Sequence, residues 1–146
     1  SIDPLAELFL IEADRAQHVP AGIGPALEAG KMILCDRFTD ATVAYQGYGR
    51  GMDMATIEEM NRQATGGLIP HCTILLDCSV AVGMARAGGA DRFEREDHHF
   101  HQRVRAGYLR IAQQEPQRVQ VVSGEGGQEA IQAEIQRILS PFMEGR

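Results

Sequence analysis

Lysine is almost missing from this chain: Lys31 is the only one, and every other basic residue is arginine. Arginine is always charged and carries a planar donor fork suited to phosphate, although a base-composition bias in the genome would produce the same imbalance. No apolar run approaches the ~20 residues needed to span a bilayer. The opening "SIDPLAELF" has no basic region ahead of an apolar stretch, so it does not read as a signal peptide. It also lacks an initiator Met and begins almost inside a helix, which suggests a cut chain. Cys35, Cys72 and Cys78 are odd in number and lack C-x-x-C spacing. Reduced, buried thiols in a cytoplasmic protein are expected, not a disulfide frame or a zinc site. Repeats and low-complexity tracts are absent. What is present is 146 residues with 44% apolar content, enough for one core and so one domain over 1–146. The net charge of −6 argues against non-specific binding to nucleic acid or to anionic membranes.

The order of elements points to an α/β domain. Pro4 to Val19 reads as a helix with Asp3 as N-cap and Pro4 at its first position. Leu5, Leu8, Phe9 and Ile11 to Ala13 form its apolar side. Residues 20–29 suggest a short helix closed by Gly30. Met32–Cys35 ("MILC") is a continuous apolar run, the pattern of a parallel strand buried on both faces. Residues 39–47 suggest a helical turn, and "DMATIEEMNRQAT" a helix capped by Asp53. "CTILLDC" is a second buried strand, followed by a helix capped by Ser79. A charged helix is expected from Arg95 to about Gln114, then a strand at "RVQVV" and a last amphipathic helix over 128–142. Helices alternating with short apolar strands imply a parallel sheet flanked by helices. Three strands are few for such a sheet, so one or two are expected to be missing from its start. Ligands bind at the carboxyl ends of such strands, where Asp36–Arg37 and Asp77 would lie.

Several motifs bear on chemistry. An acid closing "MILCD" has the form of a Walker B element, whose carboxylate helps hold Mg²⁺ beside nucleotide phosphates, but strand-end Asp residues also cap turns. Asp77 closes "ILLD" in the same way, and a cap for the next helix is the simpler role there. The P-loop G-x-x-x-x-G-K-[ST] is absent. Around Lys31, "GPALEAGKM" has the wrong glycine spacing and Met32 where Ser or Thr is required, so Lys31 reads as a surface residue at a helix end. Glu94, His98 and His101 share a helical face that could hold zinc, and an ordinary polar face explains them equally. In "MARAGGADRFERED", Arg86 and Arg92 flank a glycine hinge. Mobile arginines there could close over a phosphoryl group, or simply pair with neighbouring carboxylates.

Taken in order, "ADRAQHV", "CDRFTDATVAYQGYGRG", "GLIPHCTILLD" and "ADRFERED" followed by "FHQRVRAGYL" resemble the bacterial thymidylate kinases over most of the chain. The resemblance implies a P-loop NTPase-like parallel sheet of the nucleoside monophosphate kinase type. It also implies transfer of the γ-phosphate of ATP, with Mg²⁺, to thymidine monophosphate in a cytoplasmic homodimer. Arg15 matches the arginine that grips the acceptor's 5′-phosphate. Arg37 lies near the same phosphate, and Asp36 suits the magnesium–water shell. Thr42 falls at a polar contact to thymine, and Tyr45 and Gln46 line the deoxyribose and base. Arg86 and Arg92 lie in a lid over 84–94, where arginines contact ATP and the transferring phosphate.

Four departures accompany the match. The strand, P-loop and helix that open the family's fold are not in this sequence, so a polypeptide limited to it is expected to be nearly inactive. Ile11 stands where an aromatic commonly stacks on thymine, Ala41 replaces a common Ser, and the lid looks short. Alternative functions are therefore another deoxynucleoside or nucleotide kinase, or a non-catalytic fragment that binds a nucleotide or dimerises.

Overall fold

The computed structural model describes residues 2–86 and 96–143. The chain divides into two compact units, Ser1–Ile69 and Pro70–Arg146, each built around its own buried residues.

The first unit is helical. Helix α1 (Pro4–His18) starts where expected, with the Asp3 carboxylate accepting the Leu5 N–H and Pro4 in the first turn. Its inward stripe is not the apolar side read from the sequence. Leu8, Glu12 and Arg15, at i, i+4 and i+7, are buried together with Glu7, whereas Leu5, Phe9 and Leu10 are exposed. Charged side chains occupy the inward face because each finds a polar partner there, as described below. A five-residue π-helical segment, Val19–Ile23, leads into α2 (Gly24–Glu28), and Gly30 ends this region with a positive φ of 72°.

The clearest departure is Met32–Cys35. It forms no strand, and Leu34 is 95% exposed. A strand buried on both faces needs neighbours to take its N–H and C=O groups, and this run belongs to no ladder among the described residues. Asp36 and Arg37 therefore close an exposed loop and not a strand. Arg37 has a φ of 61°, alone among the described non-glycine residues. After this loop, α3 (Thr39–Thr42) passes into a second π-helical segment, Val43–Gly49, two residues beyond the expected end. The Arg50 N–H to Tyr45 C=O bond at 2.9 Å is an i to i−5 contact of that segment. Helix α4 (Met54–Thr65) is capped by Asp53, which accepts from the Thr56 N–H, and it ends on Gly66 in the left-handed conformation. Leu8, Ala44 and Ile57 are fully buried and anchor this unit.

The second unit holds the sheet. Strand β1 (Thr73–Asp77) pairs in parallel with β2 (Val119–Ser123), in register from Thr73–Val119 to Asp77–Ser123. Between them lie α5 (Val80–Arg86) and α6 (His98–Gln114), and α7 (Gln128–Met143) follows β2. Helix α6 begins later than the expected Arg95, which lies outside the described residues. Asp97 is its N-cap and accepts the Phe100 N–H at 2.7 Å. Phe100, Val104, Ile111 and Ala112 bury the inner face of α6, and Val119 and Val122 are the buried residues of β2. Asp77 does not cap α5. Its carboxylate takes both Arg105 Nε (2.6 Å) and Nη2 (2.8 Å) from α6, because a two-point bond to guanidinium outweighs a single cap bond. The cysteines are free as expected but none is buried; Cys35 is exposed with the run that carries it.

Candidate functional site

The site grows from the inward stripe of α1. Arg15 is 8% exposed, and a buried charge costs several kcal/mol unless it is paired and hydrogen-bonded. Three elements supply its partners. Nη1 donates to Glu12 Oε1 (2.5 Å) within α1 and to Asn61 Oδ1 (2.9 Å) of α4. Nη2 donates to the Phe38 carbonyl (3.2 Å), and the guanidinium carbon sits 5.3 Å from the centre of the Phe38 ring. A guanidinium has five N–H groups. These bonds use both on Nη1 and one on Nη2, leaving Nε–H and the second Nη2–H without acceptors among the described residues. Those two N–H groups are the donors left for the oxygens of a ligand.

A second polar cluster stands on the same helix. Glu7 is 3% exposed and accepts Gln46 Nε2 at 2.6 Å, with Arg50 Nε and Nη2 at 3.4 and 3.3 Å. Thus α1 is joined to the π-helical segment through a buried carboxylate. Such segments are frequent at functional positions, and here the widened turn carries the "AYQGYG" residues.

The residues read from the sequence fall out as follows. Ile11 is half-buried on α1, one turn before Arg15. Asp36 is exposed in the loop before α3. Arg37 is exposed, with its guanidinium 5.1 Å from the centre of the Tyr45 ring. Thr42 is buried, and its Oγ1 has no hydrogen-bond partner. Gln46 is 1% exposed, with its amide nitrogen on Glu7. Arg15, Arg37, Thr42, Tyr45 and Gln46 thus share the first unit. Arg86 belongs to the second unit, where Nη1 donates to the Gly124 carbonyl. Arg92 and most of the segment 84–94 lie outside the described residues, as does Glu94. Among the described residues no three His, Cys, Asp or Glu side chains converge as metal ligands. Sequence reading passed over Glu7, Glu12 and Asn61. The available signal was a carboxylate at 7 and at 12 on the helix that carries Arg15.

In the second unit, Ser79 N–H donates to Glu125 Oε1 (2.8 Å), and this bond holds the Glu125 carboxyl below its usual range. Burial pushes the Cys72 thiol up. No helix among the described residues is long and apolar enough to cross a membrane.

Comparison with known proteins adds four findings. A family model described as thymidylate kinase matches residues 1–135. A thymidylate kinase of Synechococcus sp. (strain JA-2-3B'a(2-13)) is 50% identical over 138 residues, covering 94% of this chain and 67% of the relative. One of Geobacter sp. (strain M21) is 56% identical over 135 residues, covering 86% and 60%. Among solved structures, the crystal structure of thymidylate kinase from Ehrlichia chaffeensis superimposes with a TM-score of 0.76 at 31% identity. It covers 95% of this chain and 66% of that one. The chain thus spans 60–67% of the length of these relatives.

Proposed function

The chain belongs to the thymidylate kinase family, and from that premise we propose that the protein carrying it transfers the γ-phosphate of ATP to thymidine 5′-monophosphate, giving the diphosphate. The observation that carries this reading is Arg15: a buried guanidinium held by three elements, with two N–H groups uncommitted. Those donors would bind the acceptor's phosphate. Phosphoryl transfer needs little else from side chains, because catalysis is positioning and charge neutralisation and the acceptor brings its own attacking oxygen.

The remaining residues take supporting roles. Arg37, lying against the Tyr45 ring, adds a second positive charge toward that phosphate. Thr42, whose buried hydroxyl has no internal partner, supplies the polar contact to the base. Tyr45 and Gln46 line the deoxyribose and base, with the Gln46 amide anchored on Glu7. Arg86 and Arg92 act from a lid over 84–94, on the donor side. A single exposed carboxylate, Asp36, fits Mg²⁺ held through water, since this ion binds through one or two carboxylates plus substrate phosphates. When bound, the ion would neutralise charge on the transferring group. We further propose a cytoplasmic homodimer and a single domain over 1–146.

A second reading, a kinase for another nucleoside monophosphate, is favoured by one feature: Ile11 offers an aliphatic surface in place of a stacking ring. ADP release by the full gene product, measured across nucleoside monophosphates and thymidine, separates the two. Fastest turnover on thymidine monophosphate is expected, and faster turnover on any other acceptor would overturn the first reading. Arg15→Ala should abolish calorimetric binding of thymidine monophosphate; binding that survives it removes the phosphate role of Arg15.

A further inference from the structure

We infer that Tyr45 is a positioning residue for Arg37: its ring holds the guanidinium in place without using any of the donors that a phosphate needs. This rests on the proposed role of Arg37 beside the acceptor's phosphate. Arg37 lies in an exposed loop, and no strand among the described residues carries it. Its φ of 61° is the one left-handed value among the described non-glycine residues, a conformation that side chains disfavour. Regular structure therefore does not place this side chain. Among the described residues the guanidinium donates no hydrogen bond. Its contact is with Tyr45, whose ring centre lies 5.1 Å from the guanidinium carbon. Tyr45 is itself mounted firmly: it sits in the π-helical segment Val43–Gly49 between the buried residues Ala44 and Gln46, and the Gln46 amide is tied to Glu7.

Two physical points favour a ring in this role. First, a carboxylate beside Arg37 would hold it as firmly, but it would take up N–H groups and cancel the charge. Arg15 shows that cost, with three of its N–H groups committed to protein acceptors. An aromatic face attracts the cation through its quadrupole. All five N–H groups of Arg37 and its full charge then remain for a ligand. Second, an arginine on an exposed loop gives up many rotamers when it binds. The ring contact settles part of that ordering before the ligand arrives, and such preorganisation raises affinity. The hydroxyl takes no part in this contact, so phenylalanine should serve as well as tyrosine, and an aliphatic side chain should not.

The test is calorimetric binding of thymidine monophosphate and of thymidine to the full gene product, read as the ratio of the two affinities. That ratio separates the phosphate's share from any contact between Tyr45 and the sugar. The variants are Tyr45→Phe, Tyr45→Leu, Arg37→Ala and the double variant Tyr45→Leu/Arg37→Ala. Tyr45→Leu should lower the ratio roughly two- to fivefold, the scale of an exposed cation–π contact, and Tyr45→Phe should leave it unchanged. In the Arg37→Ala background Tyr45→Leu should lower the ratio no further. In turnover the loss should fall on KM for the monophosphate and leave KM for ATP unchanged. A Tyr45→Leu ratio equal to that of the unaltered protein, or the same fall with and without Arg37, overturns the inference. A Tyr45→Phe ratio as low as that of Tyr45→Leu also overturns it, because the effect then belongs to the hydroxyl. If Tyr45→Leu does not melt cooperatively, Tyr45→Met, equally without a ring, decides by the same readings. If Arg37→Ala lowers the ratio and removing the ring does not, this inference alone falls. Should Arg37→Ala itself leave the ratio unchanged, the phosphate role of Arg37 falls with it.

Discussion

Replacing Glu7 by alanine should destabilise the first unit more than any single surface change, and the structure says by how much. The carboxylate is 3% exposed and takes a short bond from Gln46 Nε2 (2.6 Å) and two longer ones from Arg50 (3.3 and 3.4 Å). A hydrogen bond to a charged group is worth about 1.5–3 kcal/mol. The Arg50 contacts are long and partly exposed, so they add about 1 kcal/mol or less. Glu7→Ala removes both and leaves the Gln46 amide buried without its acceptor, for a total near 3 kcal/mol. Glu7→Gln keeps an oxygen for Gln46 and loses only the charge toward Arg50, at a cost of about 1 kcal/mol. In urea, with a slope of about 1–3 kcal/mol/M, the alanine variant should lower the midpoint by roughly 1–3 M. The glutamine variant should lower it by less than half as much. Equal shifts for the two, or shifts of both below about 0.5 kcal/mol, would refute Glu7 as the buried acceptor joining α1 to the π-helical segment.

Other outcomes follow from the same geometry. A Cβ on Gly47 would lie 2.5 Å from Met54 Sδ and 3.3 Å from Ile57 Cδ1. Gly47→Ala should therefore cost about 1–3 kcal/mol, measured by thermal melting. Adding Met54→Ala should recover part of the loss, and no recovery would place the strain elsewhere. Gly66 has a φ of 63° at the end of α4 with open space where a Cβ would stand. Gly66→Ala should thus cost about 1–2 kcal/mol through backbone conformation alone, and a neutral result in the same melt would refute this. The cap carboxyls titrate below the ordinary value of 3.8: Asp53 through its bond from the Thr56 hydroxyl, and Asp97 through the Phe100 N–H. Because the folded value is lowered, the unfolded chain binds the proton first. Their stabilisation is complete well above 3.8 and disappears as pH falls through the folded values. Urea midpoints of Asp53→Asn and Asp97→Asn should therefore depend less on acid pH than those of the unaltered protein, and parallel curves would refute the caps.

Local chemistry was legible wherever neighbours in the chain decide it. Asp3, Pro4 and Asp53 announced their helices, and "TILLD" and "RVQVV" their strands, because caps and short apolar runs act over a few residues. The run at 32–35 shows the limit. Its composition suits a strand buried on both sides, but a strand exists only where others take its hydrogen bonds, and that information is not in the run. The same limit hid the far half of the site. Arg15 and the "DR" loop could be picked out as a likeness of motifs, yet Asn61 read as one more polar residue in a helix.

The amino-acid order therefore determined most of the helices, two of the strands, the caps at Asp3 and Asp53, and the residues on which the family resemblance rests. Tertiary structure alone decided which face of α1 turns inward, and it brought Asn61, Glu12 and the Phe38 carbonyl onto one guanidinium. The physical reason is that a buried charge is tolerated only with partners, and three elements apart in sequence can supply them only once the chain has folded.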